Sequence, residues 1–229
     1  MTQTLSRRAV LSGLAAASLL PAVHTAKAGQ TLYDFNPEEP EPEGYDPALL
    51  APAESEIDFP IEPIDLDDIP EKFQRTELPY DGTEPPGTLV VDPDSRHLTL
   101  VLEDGGSIRY GVGVGRAGFA WAGTADVGMK RRWPRWLPPR EMVARDKNAA
   151  KWPNGQPGGP DNPLGARALY LYEGSKDTLY RIHGTNQPEY IGHAISSGCI
   201  RMTNEDVIDL VNRVKPGAIV VVLPPGRSA

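Results

Sequence analysis

The chain has 229 residues, enough for one or two domains, and its single cysteine, Cys199, excludes an intramolecular disulfide and a cysteine-based zinc site. Its 23 glycines and 24 prolines are too many for a helix bundle and favour turn-rich β structure. No apolar run reaches the length of about 18 residues that a multi-span membrane protein needs. The net charge of −8 is uneven, because residues 29–86 carry −15 and residues 87–229 carry +4.

The first 28 residues have the pattern of an export signal. The pair Arg7 and Arg8 precedes an apolar run over residues 10–22, and small residues suited to cleavage follow it. The pattern resembles a twin-arginine signal, and an ordinary secretory signal that happens to contain two arginines is the alternative. Either signal predicts an extracytoplasmic protein without a membrane anchor in its mature form. A lone thiol such as Cys199 is a liability in an oxidising compartment unless it has a chemical role.

Residues 29–86 form an acidic, proline-rich segment with 11 prolines and 17 acidic residues. No sustained hydrophobic period of 2 or 3.6 runs through it, so it cannot bury enough apolar surface to offset its chain entropy. We predict a mostly disordered, self-repelling linker, of which the part from Phe73 to Pro86 packs on the domain. The alternative is an acidic arm that docks on the basic domain or on a partner.

Residues 87–225 are predicted to fold as a mostly β domain, sandwich or barrel-like, with one packed α-helix. The helix is expected over 204–214, where acidic residues open the first turn and an apolar stripe recurs at helical spacing. Short alternating or β-branched segments bounded by turn residues predict the strands. These segments are 88–91, 96–102, 108–114, 168–172, 178–182 and 218–223.

Residues 116–167 interrupt this pattern and are predicted to form a long insert loop. It holds all four tryptophans of the chain together with a group of arginines between them: Trp121, Trp133, Trp136, Trp152, Arg131, Arg132, Arg135 and Arg140. Long loops without regular structure are often functional, so these side chains are candidates to line a groove for an extended, acidic ligand. The alternative is that the tryptophans fix the loop to the core while the arginines stay solvated.

Two short glycine-containing segments hold the residues with nucleophilic chemistry. His183 ends a predicted strand 16 residues before Cys199, and an imidazole that accepts the thiol proton makes cysteine a competent nucleophile. The backbone N–H groups of Gly198 and Cys199 are candidates for an oxyanion hole. Arg201 lies on the same side of an extended segment and is a candidate to bind a substrate carboxylate. His193 is a rival base by spacing.

Three histidines lie outside the predicted signal. Besides His183 and His193, His97 falls on the polar side of its predicted strand and is expected at the surface.

The order of these motifs resembles the L,D-transpeptidase catalytic domain of the YkuD type. The resemblance rests on His-Gly-Thr-Asn at 183–186, Ile-Gly at 191–192, Ser-Ser-Gly-Cys-Ile-Arg-Met at 196–202 and Asn-Glu-Asp at 204–206. It runs from about Gly87 to Leu223. One departure is Ser197, which stands where many members of the family have histidine.

The resemblance implies a cysteine acyl transfer without a metal or organic cofactor. Cys199 would attack the carbonyl of the diamino acid in a peptidoglycan tetrapeptide stem and release D-alanine, with His183 as base and the Gly184 carbonyl orienting the imidazole. Arg201 would hold a stem carboxylate. The acyl acceptor would be a second stem, which gives a 3→3 cross-link, an outer-membrane protein's amine, or a free D-amino acid.

Two other function classes stay open. If water takes the acyl group, the protein is an L,D-carboxypeptidase, and a wall-binding module without catalysis is a further alternative. Nucleic acid is a poor candidate partner because the basic excess of the domain is small and the protein is expected to be exported. A periplasmic location follows from the predicted signal.

Overall fold

A computed structural model describes residue 55 and residues 57–116, 121–196 and 198–226. The predicted export signal and residues 29–54 lie outside the described residues, and so does Ser197. No helix in the described part of the chain is long and apolar enough to cross a membrane.

The fold is mostly β, as predicted, with nine strands in one sheet ordered β1-β4-β3-β2-β11-β6-β7-β8-β10 and a separate β5-β9 pair. In chain order the strands are β1 Thr76–Pro79, β2 Leu89–Asp92, β3 His97–Val101, β4 Gly106–Gly111, β5 Val114–Gly115, β6 Gly123–Arg132, β7 Arg167–Glu173, β8 Lys176–His183, β9 Ala194–Ser196, β10 Ile200–Arg201 and β11 Ile219–Val222. Two α-helices accompany them, α1 Arg140–Arg145 and α2 Asn204–Arg213.

Helix α2 covers the core, as its apolar spacing predicts. The Thr203 hydroxyl accepts a hydrogen bond from the Asp206 N–H at 3.1 Å and caps the N-terminus. Val207 and Leu210 are buried in the core cluster shared with the strands. At the other end, the Lys130 ammonium donates to the Val211 carbonyl at 2.7 Å and so places a cation at the negative end of the helix. Because Lys130 belongs to β6, this contact fixes strand β6 to helix α2.

The predicted insert loop is corrected by the structure. Ten of its residues form β6, which pairs with β11 on one side and β7 on the other, and six more form α1. Two of its tryptophans fix the segment to the rest of the protein: Trp133 is 1% exposed, and the ring of Trp121 stacks on that of Tyr180 with centroids 5.4 Å apart. Trp152 stays exposed.

The linker prediction fails for residues 57–72, which pack on the domain instead of extending from it, whereas packing from Phe73 onward was expected. We call residues 57–79 the strap. At one end the Asp58 carboxylate accepts a hydrogen bond from the Trp133 indole at 2.9 Å and lies 3.4 Å from the Arg167 guanidinium. At the other end β1 pairs antiparallel with β4. The acidic strap therefore docks on the basic domain, which was the alternative interpretation of its charge.

The centre of the strap is held by apolar burial and by ion pairs to α2. Ile69 and Phe73 form a small core cluster with Ile191. The Arg75 guanidinium lies 3.2 Å from the Asp209 carboxylate and 3.7 Å from that of Asp206. Strap residues thus contact both the helix and the segment that leads to Cys199.

His97 is half-buried beneath the strap and not at the surface as expected. Its Nε2 atom lies 2.8 Å from the Lys72 carbonyl, and its ring packs against Phe73. Burial lowers the pKa of His97. The position of His97 on its strand places it on the outer face of the sheet, as predicted, but the strap covers that face.

Candidate active site

The parallel pairing of β8 with β10 brings the predicted site residues together. Ile200 lies opposite Ile182, and Arg201 lies opposite His183. The two isoleucines point into the core, and because side chains alternate along a strand, His183 and Arg201 share the other face. Cys199 lies two residues before Arg201 and belongs to that face as well.

His183 is buried and its tautomer is fixed by a neighbouring carbonyl. Its Nδ1 atom lies 2.5 Å from the Gly184 oxygen, so Nδ1 carries the proton and donates it, and Nε2 is left as an acceptor. Burial, together with the nearby Arg201 guanidinium, lowers the pKa of His183 to about 3. The imidazole is therefore neutral at physiological pH and able to take a proton.

Residue 184 has to be glycine for a steric reason. A β-carbon at Gly184 would overlap the Asn204 side-chain oxygen, which accepts a hydrogen bond from the Ala166 N–H at 2.9 Å. The first residue of α2 therefore packs against the backbone whose carbonyl orients His183, and the Gly184 N–H donates to the Arg167 carbonyl at 2.9 Å.

Cys199 is half-buried, and its thiol points at a backbone carbonyl. The sulfur lies 4.0 Å from the Leu179 oxygen, and among the described residues it makes no hydrogen bond to His183. Burial raises the pKa of the thiol, and the Arg181 and Arg201 guanidinium groups partly oppose that rise. The resting pair is consequently a neutral thiol beside a neutral imidazole.

The predicted oxyanion donors do not both point into the site. The Gly198 N–H donates to the Ser196 hydroxyl oxygen at 3.1 Å, and that hydroxyl donates to the Cys199 carbonyl at 2.7 Å. Gly198 has a φ of 127°, a conformation that favours glycine. Its role is therefore to shape the turn that presents Cys199, and the Cys199 N–H is the remaining candidate donor.

Arg201 is a half-buried cation without a carboxylate partner among the described residues. Its backbone is fixed by two hydrogen bonds to Gly113, of 2.8 and 2.9 Å. Burial lowers the pKa of its guanidinium, although Cys199 and Tyr190 act in the opposite direction. Such a charge gains from an anion supplied by a ligand.

His193, the rival base, is exposed, and its ring lies edge-on to Tyr190 with centroids 6.5 Å apart. Its carbonyl accepts the Val114 N–H at 3.0 Å, so its backbone holds β5 near the site. The structure therefore favours His183 as the residue that faces Cys199.

Three neighbours of the sulfur received no role at the site in the sequence prediction: Leu179, Tyr180 and Arg181. The spacing of Arg181, two residues before His183 on one strand, could have revealed that both side chains share a face. Tyr180 has a pKa raised to about 12 by burial and by the Cys199 charge. No local sequence pattern predicts a role for Leu179, whose backbone has a φ of 64°.

Comparison with known proteins identifies a family for this chain. The family model of the L,D-transpeptidase catalytic domain (YkuD) matches residues 86–222. The probable L,D-transpeptidase YbiS of Escherichia coli is 34% identical over 161 residues, which cover 62% of this chain and 50% of YbiS. The probable L,D-transpeptidase ErfK/SrfK of the same species is 35% identical over 141 residues, covering 59% of this chain and 43% of the relative. The chain thus spans about half the length of these curated relatives.

A solved structure from Brucella melitensis, described as a probable carnitine operon oxidoreductase, is 48% identical to this chain. The match covers 69% of this chain and 98% of the other, with a TM-score of 0.47. Because that TM-score is below 0.5, the assignment rests on the family model, which matches more than half of the chain. The chain belongs to the family of proteins with an L,D-transpeptidase (YkuD) catalytic domain.

Proposed function

We propose that this protein is a peptidoglycan L,D-transpeptidase in which Cys199 is the nucleophile and His183 the general base. The observation that carries the proposal is the hydrogen bond from His183 Nδ1 to the Gly184 carbonyl, which leaves Nε2 to accept a proton on the face shared with Cys199. An imidazole held in one tautomer beside a nucleophile is the arrangement of an acyl-transfer site.

The first half-reaction cleaves the bond between the diamino acid and D-alanine of a tetrapeptide stem. The Cys199 thiol turns from the Leu179 carbonyl toward His183, and Nε2 takes its proton as the sulfur attacks the diamino-acid carbonyl. The Cys199 N–H donates to the developing oxyanion. His183 then returns the proton to the leaving amine, D-alanine departs, and a thioester on Cys199 remains.

Proton transfer and attack are coupled, because neither group is charged at rest. Burial lowers the pKa of His183 and raises that of Cys199, so a pre-formed thiolate–imidazolium pair is disfavoured. Substrate binding supplies the alignment that the resting site lacks, as hydrogen bonds of catalytic groups often tighten only with substrate present.

In the second half-reaction an amine attacks the thioester carbonyl and gives its proton to His183. The C–S bond breaks, and the Cys199 thiolate that leaves regains that proton from His183. With a second stem as acceptor the product is a 3→3 cross-link, and an envelope protein's amine gives a covalent attachment. Arg201 binds a carboxylate of the stem and positions the scissile carbonyl. The half-buried position of its charge, without a carboxylate partner among the described residues, supports this assignment.

We further propose that residues 1–28 direct export, by the twin-arginine route, and that the protein acts in the periplasm. The paired arginines and the short apolar run that follows support this location. The partners are then peptidoglycan stem peptides and, as a further acceptor, an outer-membrane protein, rather than nucleic acid.

Product mass analysis tests the proposal. The chain from residue 29 and its Cys199→Ala variant are incubated with purified disaccharide-tetrapeptide. A dimer lighter than two monomers by one alanine, absent with the variant, is the expected result. A tripeptide alone would mean either an L,D-carboxypeptidase or a missing acceptor, and adding candidate acceptor amines would distinguish the two. Equal turnover by the variant would refute the nucleophile.

A further inference from the structure

Strand β8 carries an irregularity directly beside the Cys199 sulfur. Tyr170 pairs with Arg181 and Tyr172 pairs with Asp177, so β7 has one residue between these pairs where β8 has three. The extra residues form a bulge in which Leu179 adopts a φ of 64°. A non-glycine residue in this left-handed region is strained and persists only where its surroundings hold it.

Two charged side chains hold the bulge closed. The Arg181 guanidinium makes a two-pronged ion pair with the Asp177 carboxylate, at 2.7 and 2.8 Å. One of those carboxylate oxygens also accepts the Leu179 N–H at 2.8 Å. The guanidinium stacks on the Tyr170 ring, 4.1 Å from its centroid, and the side chain is only 13% exposed. The pair therefore spans the bulge and fixes its shape.

The bulge presents its backbone to the thiol. The Leu179 carbonyl is the acceptor 4.0 Å from the Cys199 sulfur, and the Arg181 backbone contributes hydrogen bonding that favours the thiolate. The Arg181 side chain lies on the same strand face as His183, two residues away. The Arg181 charge, the Arg181 backbone and the Leu179 carbonyl thus all act on the Cys199 sulfur.

We infer that Arg181, clamped by Asp177 and Tyr170, is a positioning residue that sets the orientation and reactivity of the Cys199 thiol. This inference rests on the proposed function, because it assigns Arg181 to the nucleophile proposed there. The guanidinium stays bound to Asp177 and does not take a substrate carboxylate, which distinguishes it from Arg201. Arg181 positions the Cys199 thiol, and Arg201 binds the substrate carboxylate.

Alkylation of Cys199 by iodoacetamide tests the inference without any peptidoglycan. Since the chain has one cysteine, the alkylation rate of the full-length protein reports on this thiol alone. In Arg181→Gln the loss of positive charge moves the pH midpoint of alkylation upward. If the higher thiol pKa leaves tenfold less thiolate at neutral pH, the alkylation rate falls by only about threefold. The reason is that the thiolate of a less acidic thiol is intrinsically more nucleophilic, which offsets part of the loss.

Arg213→Gln is the matched control. It breaks a two-pronged ion pair with Asp209 of similar geometry, 2.9 and 3.0 Å, on helix α2. Its alkylation midpoint is expected to equal that of the unmodified chain. A midpoint of Arg181→Gln that matches the Arg213→Gln control would overturn the inference.

Arg181→Lys keeps the test decisive if Arg181→Gln does not fold. Lysine retains the charge but cannot form the planar fork, so the alkylation midpoint stays near that of the unmodified chain while kcat for acyl transfer falls about tenfold. Unchanged values of both would refute a positioning role. Full turnover by Cys199→Ala would instead refute the proposed function, so the two failures are distinguishable.

Discussion

Replacing Phe73 with alanine tests whether the strap is part of the folded domain. The Phe73 ring is 6% exposed, packs with Ile69 and Ile191, and lies 5.5 Å from the His97 ring between centroids. Truncating a buried phenylalanine to alanine costs about 3–5 kcal/mol of unfolding free energy. Because this cluster is small and can partly collapse, we expect Phe73→Ala to cost about 3 kcal/mol. That is less than the free energy of unfolding of a typical domain, which is about 5–15 kcal/mol.

The strap should therefore open locally while the sheet stays folded. Trypsin can cut the strap after Lys72 and Arg75 once it opens. At low protease concentration the cutting rate follows the population of the open state, so 3 kcal/mol corresponds to about a hundredfold acceleration. Leu66→Ala is the matched control, since Leu66 lies in the same strap and is 62% exposed, and we expect a change within about 0.5 kcal/mol. Equal cutting rates for the two variants would refute this account of the strap.

Three further predictions concern packing and pH. A β-carbon at Gly192, which has a φ of 82°, would overlap the Phe73 ring, so Gly192→Ala should cost at least about 2 kcal/mol in denaturant unfolding; Gly217→Ala, at a φ of 80° but with no atom within 4 Å, should cost only about 1 kcal/mol. Burial raises the pKa of Asp206 to about 6, so the folded state binds its proton more tightly than the unfolded state does. The stability contribution of Asp206 should therefore fall as pH rises from about 4 to 6, and Asp206→Asn should flatten that part of the stability profile, whereas a steeper one would contradict the assignment. Because the pKa of His183 is lowered to about 3, the acid limb of kcat/KM should lie well below the pKa of free histidine, and a limb near pH 6.5 would contradict the buried, neutral imidazole.

The acidic segment shows how composition can mislead about structure. Its charge and proline content are typical of a disordered linker, and the prediction fails for residues 57–72 because a few isolated side chains there find partners elsewhere. The Asp58 carboxylate accepts a hydrogen bond from the Trp133 indole, and Ile69 packs with Ile191. Neither contact leaves a periodic pattern, because each joins residues far apart in the chain.

The missed strand β6 has a similar cause. Gly123, Gly128 and three consecutive basic residues at 130–132 are poor signals for a central strand. The strand forms because β11 and β7 supply hydrogen bonds on both edges, while Lys130 finds carbonyls at the end of α2. Tertiary neighbours thus override the local propensity.

At the site, the sequence points to the residues of the proposed chemistry but not to their geometry. The motif order singles out Cys199, His183 and Arg201 as candidates, and the β8–β10 register brings all three to one face. The engagement of the Gly198 N–H by Ser196 and the bulge at Leu179 depend on contacts that no spacing encodes.

The mostly β fold, helix α2, the family and the candidate site residues could be predicted from the sequence, because they depend on local periodicity and on short motifs. The docking of the acidic strap on the basic domain, the covering of His97 and the position of Arg181 near the sulfur are seen only in the folded structure. These features depend on burial and charge between segments far apart in the chain, and only the folded arrangement specifies which distant groups share the same low-dielectric surroundings.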